Sequence, residues 1–152
     1  MGATKTNAKT KVISGYSQEF VDQAKCKELA LTQIEQGSKV VFAAAGGCGL
    51  GALQAAKEQG VWGIGVDSDQ AYLGTHILTS ATKKVDVAVF TITGQTAKGT
   101  FKGGVDTVFT VKNGGVGFGK VSGKAPNRAA LIAKLTAASK QLASGKVKPP
   151  TK

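Results

Sequence analysis

Residues 41–70, VFAAAGGCGLGALQAAKEQGVWGIGVDSDQ, limit what this chain can fold into more than any other run. An apolar stretch of strand length leads into a glycine turn. Residues 49–59 then read as a helix, with Leu50, Leu53 and Ala56 on one face and Gly60 as its stop. A second apolar strand, 61–67, ends on Asp67. Apolar strands joined through a helix imply parallel pairing in a covered sheet. Within the run, Gly47, Gly49 and Ala52 fit G-x-G-x-x-A. Asp67 follows about twenty residues later, which is the spacing of a dinucleotide-binding fingerprint.

The flanking sequence extends the alternation. Residues 11–16, KVISGY, read as a short strand. Ser17 can then cap a helix with Glu19 and Asp22 in its first turn. Val21, Ala24, Leu31 and Ile34 form its expected buried face, with Ala30 beside them and Gly37 as the stop. Residues 39–45 form the strand before the glycine turn, and 76–82 a strand after Asp67. The segment 83–93 fits helix or strand, and Asp86 with the apolar periodicity favours helix. Residues 94–104 read as loop or frayed helix end, 105–111 as a strand, and 112–125 as irregular. Pro126 sits where a helix can start. Leu131, Leu135, Ala138 and Leu142 form one stripe along it, and Gly145 closes it. The expected fold is α/β, a three-layer sandwich around a mostly parallel sheet, flavodoxin- or Rossmann-like in outline. Its expected limits are a flexible polar tail at 1–11, one lobe at 12–146, and a second tail at 147–152.

A chain of 152 residues can bury a core as one domain. The net charge is +11, but the lysines are dispersed, Arg128 is the lone arginine, and aromatics make up 6%. Nucleic-acid readers lean on arginine forks and clustered aromatics, so no nucleic-acid partner is expected. No run approaches the roughly 18 apolar residues of a membrane span, and the first residues lack a signal peptide's apolar centre. Cys26 and Cys48 fit no zinc spacing, and His76 is the one histidine. A disulfide and a pair of small buried thiols are both open readings. No catalytic constellation forms around His76, so no enzyme, metal or cofactor is expected.

The dinucleotide reading has a weakness. The glycine turn follows the second expected strand, where a Rossmann fingerprint follows the first. No second mononucleotide half fits in the remaining length.

The combination AAGGxGxGALxAAKExGVWxIGVDxDQ, followed by LTSxxKxVDxAV, resembles the basic membrane protein family. These are ABC-transporter substrate-binding lipoproteins, purine-nucleoside receptors of the type I periplasmic-binding fold. Segments GTFKGG and NGGVGFGKVS extend the resemblance from about residue 12 to the C-terminal helix. Family members clamp ligand between two lobes, and this chain matches mostly the second. The resemblance implies an isolated, truncated or engineered half-receptor, extracytoplasmic in setting, whose segment after LTSATK would cross to the first lobe. A membrane permease is the further partner it implies, and the interlobe surface of a lone lobe would favour a homodimer or exchange of the terminal elements.

The resemblance also implies a site. Phe20, in F-x-D-x-A-K, would stack on the base. Asp67 would accept from the ribose diol, and Lys83, in S-x-x-K, would donate to the sugar. Gly46 and Gly47 would let backbone approach the ligand. The bland alternatives are a core Phe, a solvated strand-end acid and a surface lysine. Trp62 is expected in the core, and Asp69 and Gln70 as braces of the loop. A lone lobe is expected to bind nucleoside weakly. The competing readings are a structural single-lobe protein with no retained ligand function and a nucleotide-dependent Rossmann-type enzyme.

Overall fold

A computed structural model describes residues 2–149. The last three positions of the expected C-terminal tail, 150–152, lie outside the described residues. The elements run α1 (Gly2–Thr6), α2 (Gln23–Glu35), β1 (Val40–Phe42), α3 (Gly49–Glu58), β2 (Trp62–Asp67), β3 (Ile77–Lys83), α4 (Val85–Ala97), β4 (Val116–Phe118) and α5 (Arg128–Ala143). The sheet order is β1-β2-β3-β4, with β1, β2 and β3 parallel and β4 antiparallel to β3. The expected α/β class with a mostly parallel sheet is what the chain adopts.

The core lies on one face of that sheet. Helix α3 covers it with Leu53, Ala55 and Ala56, all at most 1% exposed, against Val41 and Ile77. Helix α2 packs on α3 rather than on the strands. The approach is close because the glycines at the start of α3 have no side chain. A Cβ on Gly51 would collide with the backbone carbonyl of Gln23, and one on Gly49 would lie 2.8 Å from Ala43 O. Gly37, at φ +97°, follows α2, and Gly60, at φ +64°, follows α3, as the helix stops require.

Several expectations are overturned. Residues 11–16 form no strand; they pass beside α2, where a Cβ on Gly15 would lie 2.8 Å from Leu29 Cδ1. The helix begins later than Ser17 suggested. Asp22 is its N-cap, accepting from the Ala24 and Lys25 amides. Val21 therefore precedes the helix and is 78% exposed, and Cys26 and Ala30 are its buried residues. The glycine turn thus does follow the first strand of the sheet.

Residues 105–111 are also not a strand. Asn113 folds that segment into a turn, accepting from the Thr110 amide at 2.6 Å and donating to Val108 O at 2.9 Å. The pairing edge of β3 goes instead to β4, inside the glycine-rich run expected to be irregular. Helix α5 forms, but its leucine stripe is not buried. Neither α4 nor α5 contains a buried residue. Within the stretch expected as a polar tail, α1 is a short exposed helix.

Cys26 and Cys48 are joined in a disulfide, with Cα atoms 5.6 Å apart. The bond links the first turn of α2 to the glycine turn. No described helix is long and apolar enough to cross a membrane.

Candidate functional site

Parallel strands β2 and β3 end side by side, with Asp67 paired to Thr82 in the register. In open α/β sheets the carboxyl ends of the strands are where ligands bind. An open cleft of about 570 Å³ lies there. Phe20, Gly46, Asp67 and Lys83 all line it, together with Thr82 and an apolar wall that includes Val66 and Val116. Four of the five expected site residues are therefore brought together. Gly47 is not part of this lining.

Each polar group arrives by a different element. Asp67 is the last residue of β2, and Lys83 the last of β3. Their side chains form an ion pair, Lys83 Nζ to Asp67 Oδ1, at 2.6 Å, with 66% and 52% of each side chain exposed. Phe20 comes from the segment before α2. Its backbone is held by two contacts: Glu19 Oε1 accepts from its amide at 2.9 Å, and its carbonyl accepts from the Cys48 amide at 2.9 Å. The Val21 and Phe20 amides, both donating to Glu19 Oε1, hold the Glu19 carboxyl below its usual range. The Phe20 ring itself is free, since the residue is 76% exposed. An aromatic that open is not a core residue.

The glycine turn looks different in three dimensions from its sequence pattern. Gly46, at φ +58°, lies under Phe20, whose Cδ1 would be 3.3 Å from an added Cβ. An added Cβ on Gly47 would meet Phe20 O at 3.4 Å. The Phe20 carbonyl thus occupies the place a pyrophosphate would take, and it already uses the Cys48 amide. Gly49 and Gly51 serve helix packing. The fingerprint is present as letters, but its anion cradle is filled by the chain's own backbone.

Thr82 was missed by sequence reasoning. Its Oγ1 is buried and has no hydrogen-bond partner, and the residue belongs to the cleft lining. A buried hydroxyl without a partner is costly. Its position immediately before Lys83 was the only sequence signal. His76 stands at the opposite end of β3, before Ile77, outside the cleft lining. Burial holds its imidazole below the ordinary range, aided by the Lys57 charge and opposed by a hydrogen bond with the Leu53 backbone. Among the described residues no His, Cys, Asp or Glu cluster could hold a metal ion. Trp62 is half-buried at the start of β2, at the other end of the strand from Asp67.

Comparison with known proteins bears on this arrangement. Residues 1–150 match the profile of the Bmp family, described as ABC transporter substrate-binding protein, PnrA-like. The chain is 37% identical over 136 residues to the ABC transporter nucleoside-binding protein BmpA of Lactococcus lactis subsp. cremoris, covering 78% of this chain and 39% of that one. It is 37% identical over 120 residues to basic membrane protein D of Borreliella burgdorferi, covering 76% and 35%. Among solved structures, a transcriptional activator of the comK gene from Bacillus halodurans superposes with a TM-score of 0.80 at 26% identity, over 89% of this chain and 47% of that one. An ABC transporter solute-binding protein from Conexibacter woesei gives 0.78 at 26%, over 98% and 49%. The chain thus spans less than two fifths of these two sequence relatives and about half of these solved chains.

Proposed function

The chain belongs to the Bmp family of PnrA-like ABC transporter substrate-binding proteins, and from that premise we propose that its cleft is one wall of a purine-nucleoside site. The observation that carries this reading is the convergence of Phe20, Asp67 and Lys83 on one cleft. A nucleoside presents a flat base, a hydroxyl pair and no charge. The open Phe20 ring offers the base a face, worth roughly 1–3 kcal/mol by aromatic stacking. Asp67 accepts from the ribose diol, and Lys83 donates to a sugar oxygen. Thr82 Oγ1 supplies a further bond from the floor. Gly46 keeps the turn low enough for the ligand to reach these groups.

Residues 12–146 act in this reading as one lobe of a two-lobed receptor. A second lobe closes over the ligand, and the closed form docks on a membrane permease in an extracytoplasmic setting. Helix α4 fits this role. Val85, Val89 and Phe90 on it are 63%, 60% and 81% exposed, which is the character of a surface that another body covers. The apolar faces left open also favour pairing of two copies. Alone, the chain provides about half of the ligand contacts, and each 1.4 kcal/mol lost is about tenfold in affinity. Binding by the 152-residue chain is therefore weak.

Nuclear magnetic resonance titration with inosine, guanosine and NAD at millimolar concentration tests the reading. The expected result is a response to the nucleosides confined to Phe20, Asp67, Thr82 and Lys83, and lost in Phe20→Ala and Asp67→Ala. Silence towards every ligand overturns it in favour of a structural lobe. A response to NAD with none to nucleosides overturns it in favour of a nucleotide enzyme.

A further inference from the structure

The turn that presents Asp67 is strained. Asp67 has φ +67°, a left-handed conformation uncommon for any residue but glycine. The Ser68 amide donates to Val66 O at 2.8 Å, closing a three-residue turn with Asp67 at its centre. With positive φ at the centre, this is the γ-turn of the rarer, strained hand. Such strain persists only where the surroundings hold it.

On the side of β2 away from β3, what holds the turn is one side chain. Pairing of β1 with β2 stops at Phe42 and Ile64, so Val66 has outrun its neighbour on that side. Gln70 Oε1 accepts from the Val66 amide at 2.9 Å in place of a strand. Gln70 is fixed in turn by its own amide, which donates to Ser80 Oγ at 3.0 Å. Ser80 is completely buried. Gly65 leaves the room for this arrangement. A Cβ there would lie 2.5 Å from Gln70 Oε1 and 2.7 Å from Ser80 Oγ.

We propose that Gln70 is a positioning residue. Its carboxamide clamps the strained turn, and so sets the Asp67 carboxylate against Lys83 at the cleft. Ser80 is the anchor of the clamp. The clamp stands on geometry alone; its consequence for binding rests on the nucleoside reading above. Without Gln70, the Val66 amide loses its side-chain acceptor, and the turn is free to relax Asp67 towards an extended conformation.

The test compares Gln70→Ala, Gln70→Glu and the surface control Gln54→Ala in the 152-residue chain. Gln54 also makes a side-chain bond, donating to Glu58 at 3.0 Å, but far from the turn. Two signals are read by nuclear magnetic resonance. One is the intraresidue amide-to-Hα cross-peak of Asp67, which is strong when φ is positive. The other is hydrogen exchange of the Val66 amide. In Gln70→Ala the cross-peak should weaken and exchange should quicken about threefold to tenfold, the usual worth of one such bond. Gln70→Glu, which keeps the acceptor, should restore both, and Gln54→Ala should leave both unchanged. An Asp67 cross-peak that stays strong in Gln70→Ala overturns the clamp. If that variant does not fold, Ser80→Ala cuts the clamp from its other end, and unchanged signals there overturn it equally. Inosine separates the two claims. If the unsubstituted chain ignores inosine while Gln70→Ala still weakens the cross-peak, the clamp stands and the nucleoside reading falls.

Discussion

Asp67 Oδ1 and Lys83 Nζ stand 2.6 Å apart at the adjoining ends of two parallel strands, with more than half of each side chain open to solvent. An exposed pair of this kind contributes under about 1 kcal/mol to stability, because solvent screens it. Conservation of fold is therefore not the use to which this pairing is suited. Lys83→Met should shift the midpoint of urea unfolding by less than about 1 kcal/mol in free energy. The same substitution should weaken the inosine response about tenfold or more, as expected when a hydrogen bond from a charged group is lost. A large loss of stability with unchanged inosine response would show that the pair serves the fold.

Two glycines in helices offer an opposed pair of outcomes. Intrinsic propensity favours alanine over glycine by about 1 kcal/mol in a helix interior. At Gly94, in α4, an added Cβ meets nothing within 4 Å. Gly94→Ala should stabilise by roughly 0.5–1 kcal/mol. At Gly51 the Cβ would collide with the Gln23 carbonyl, which is backbone and cannot swing aside. Overpacking of this kind costs about 1–3 kcal/mol and outweighs the propensity gain. Gly51→Ala should therefore destabilise, read by thermal or urea unfolding. Equal signs at the two positions would mean that α2 and α3 do not meet as closely as described.

What sequence could and could not say follows from how far each cause lies along the chain. The helix stops at Gly37, Gly60 and Gly145 were readable because a left-handed residue after a helix is a local requirement. Helix α3 and strand β2 were readable because their apolar positions repeat at the right period. Strand β4 was not, because which segment takes the edge of β3 depends on Asn113 folding residues 108–113 into a turn. The stripe read on α5 lies unburied for a related reason. Periodicity shows that a face is apolar, but not whether anything lies against it. At the cleft, Phe20, Gly46, Asp67 and Lys83 were named from a resemblance, and the structure gathers them. Thr82 escaped notice because an unpartnered hydroxyl is a property of the packed surroundings, invisible in a threonine's letter.

The disulfide between Cys26 and Cys48 ties together the two segments that hold Phe20 in place. Both cysteines are buried, at 4% and 0% exposure, and they lie 22 residues apart. Closing a loop of that length removes unfolded-state entropy worth roughly 3 kcal/mol. Reduction should lower unfolding stability by about that amount, measured in urea with and without a thiol reductant. The Cys26→Ala and Cys48→Ala double variant should match the reduced chain within about 1 kcal/mol. An oxidised chain no more stable than the reduced one would refute the bond's structural role.

His76 makes stability depend on pH through burial, not through an ion pair. Its imidazole is held below its ordinary pKa, first by desolvation and then by Lys57, and Nε2 has no partner. The folded chain therefore binds fewer protons at this site than the unfolded chain does. Where the unfolded state binds more protons, stability rises with pH. Full stability should hold above the unfolded value of about 6.5. It should fall as pH drops through that value towards the lower folded pKa, and the loss from this group should stop growing below it. His76→Gln cannot take a proton, so its unfolding free energy should be flatter than that of the parent across the same acid window. Measuring urea midpoints of both chains from neutral pH downward gives the comparison. Parallel curves would mean that the imidazole titrates alike in the folded and unfolded chain, and that its burial at the start of β3 carries no charge penalty.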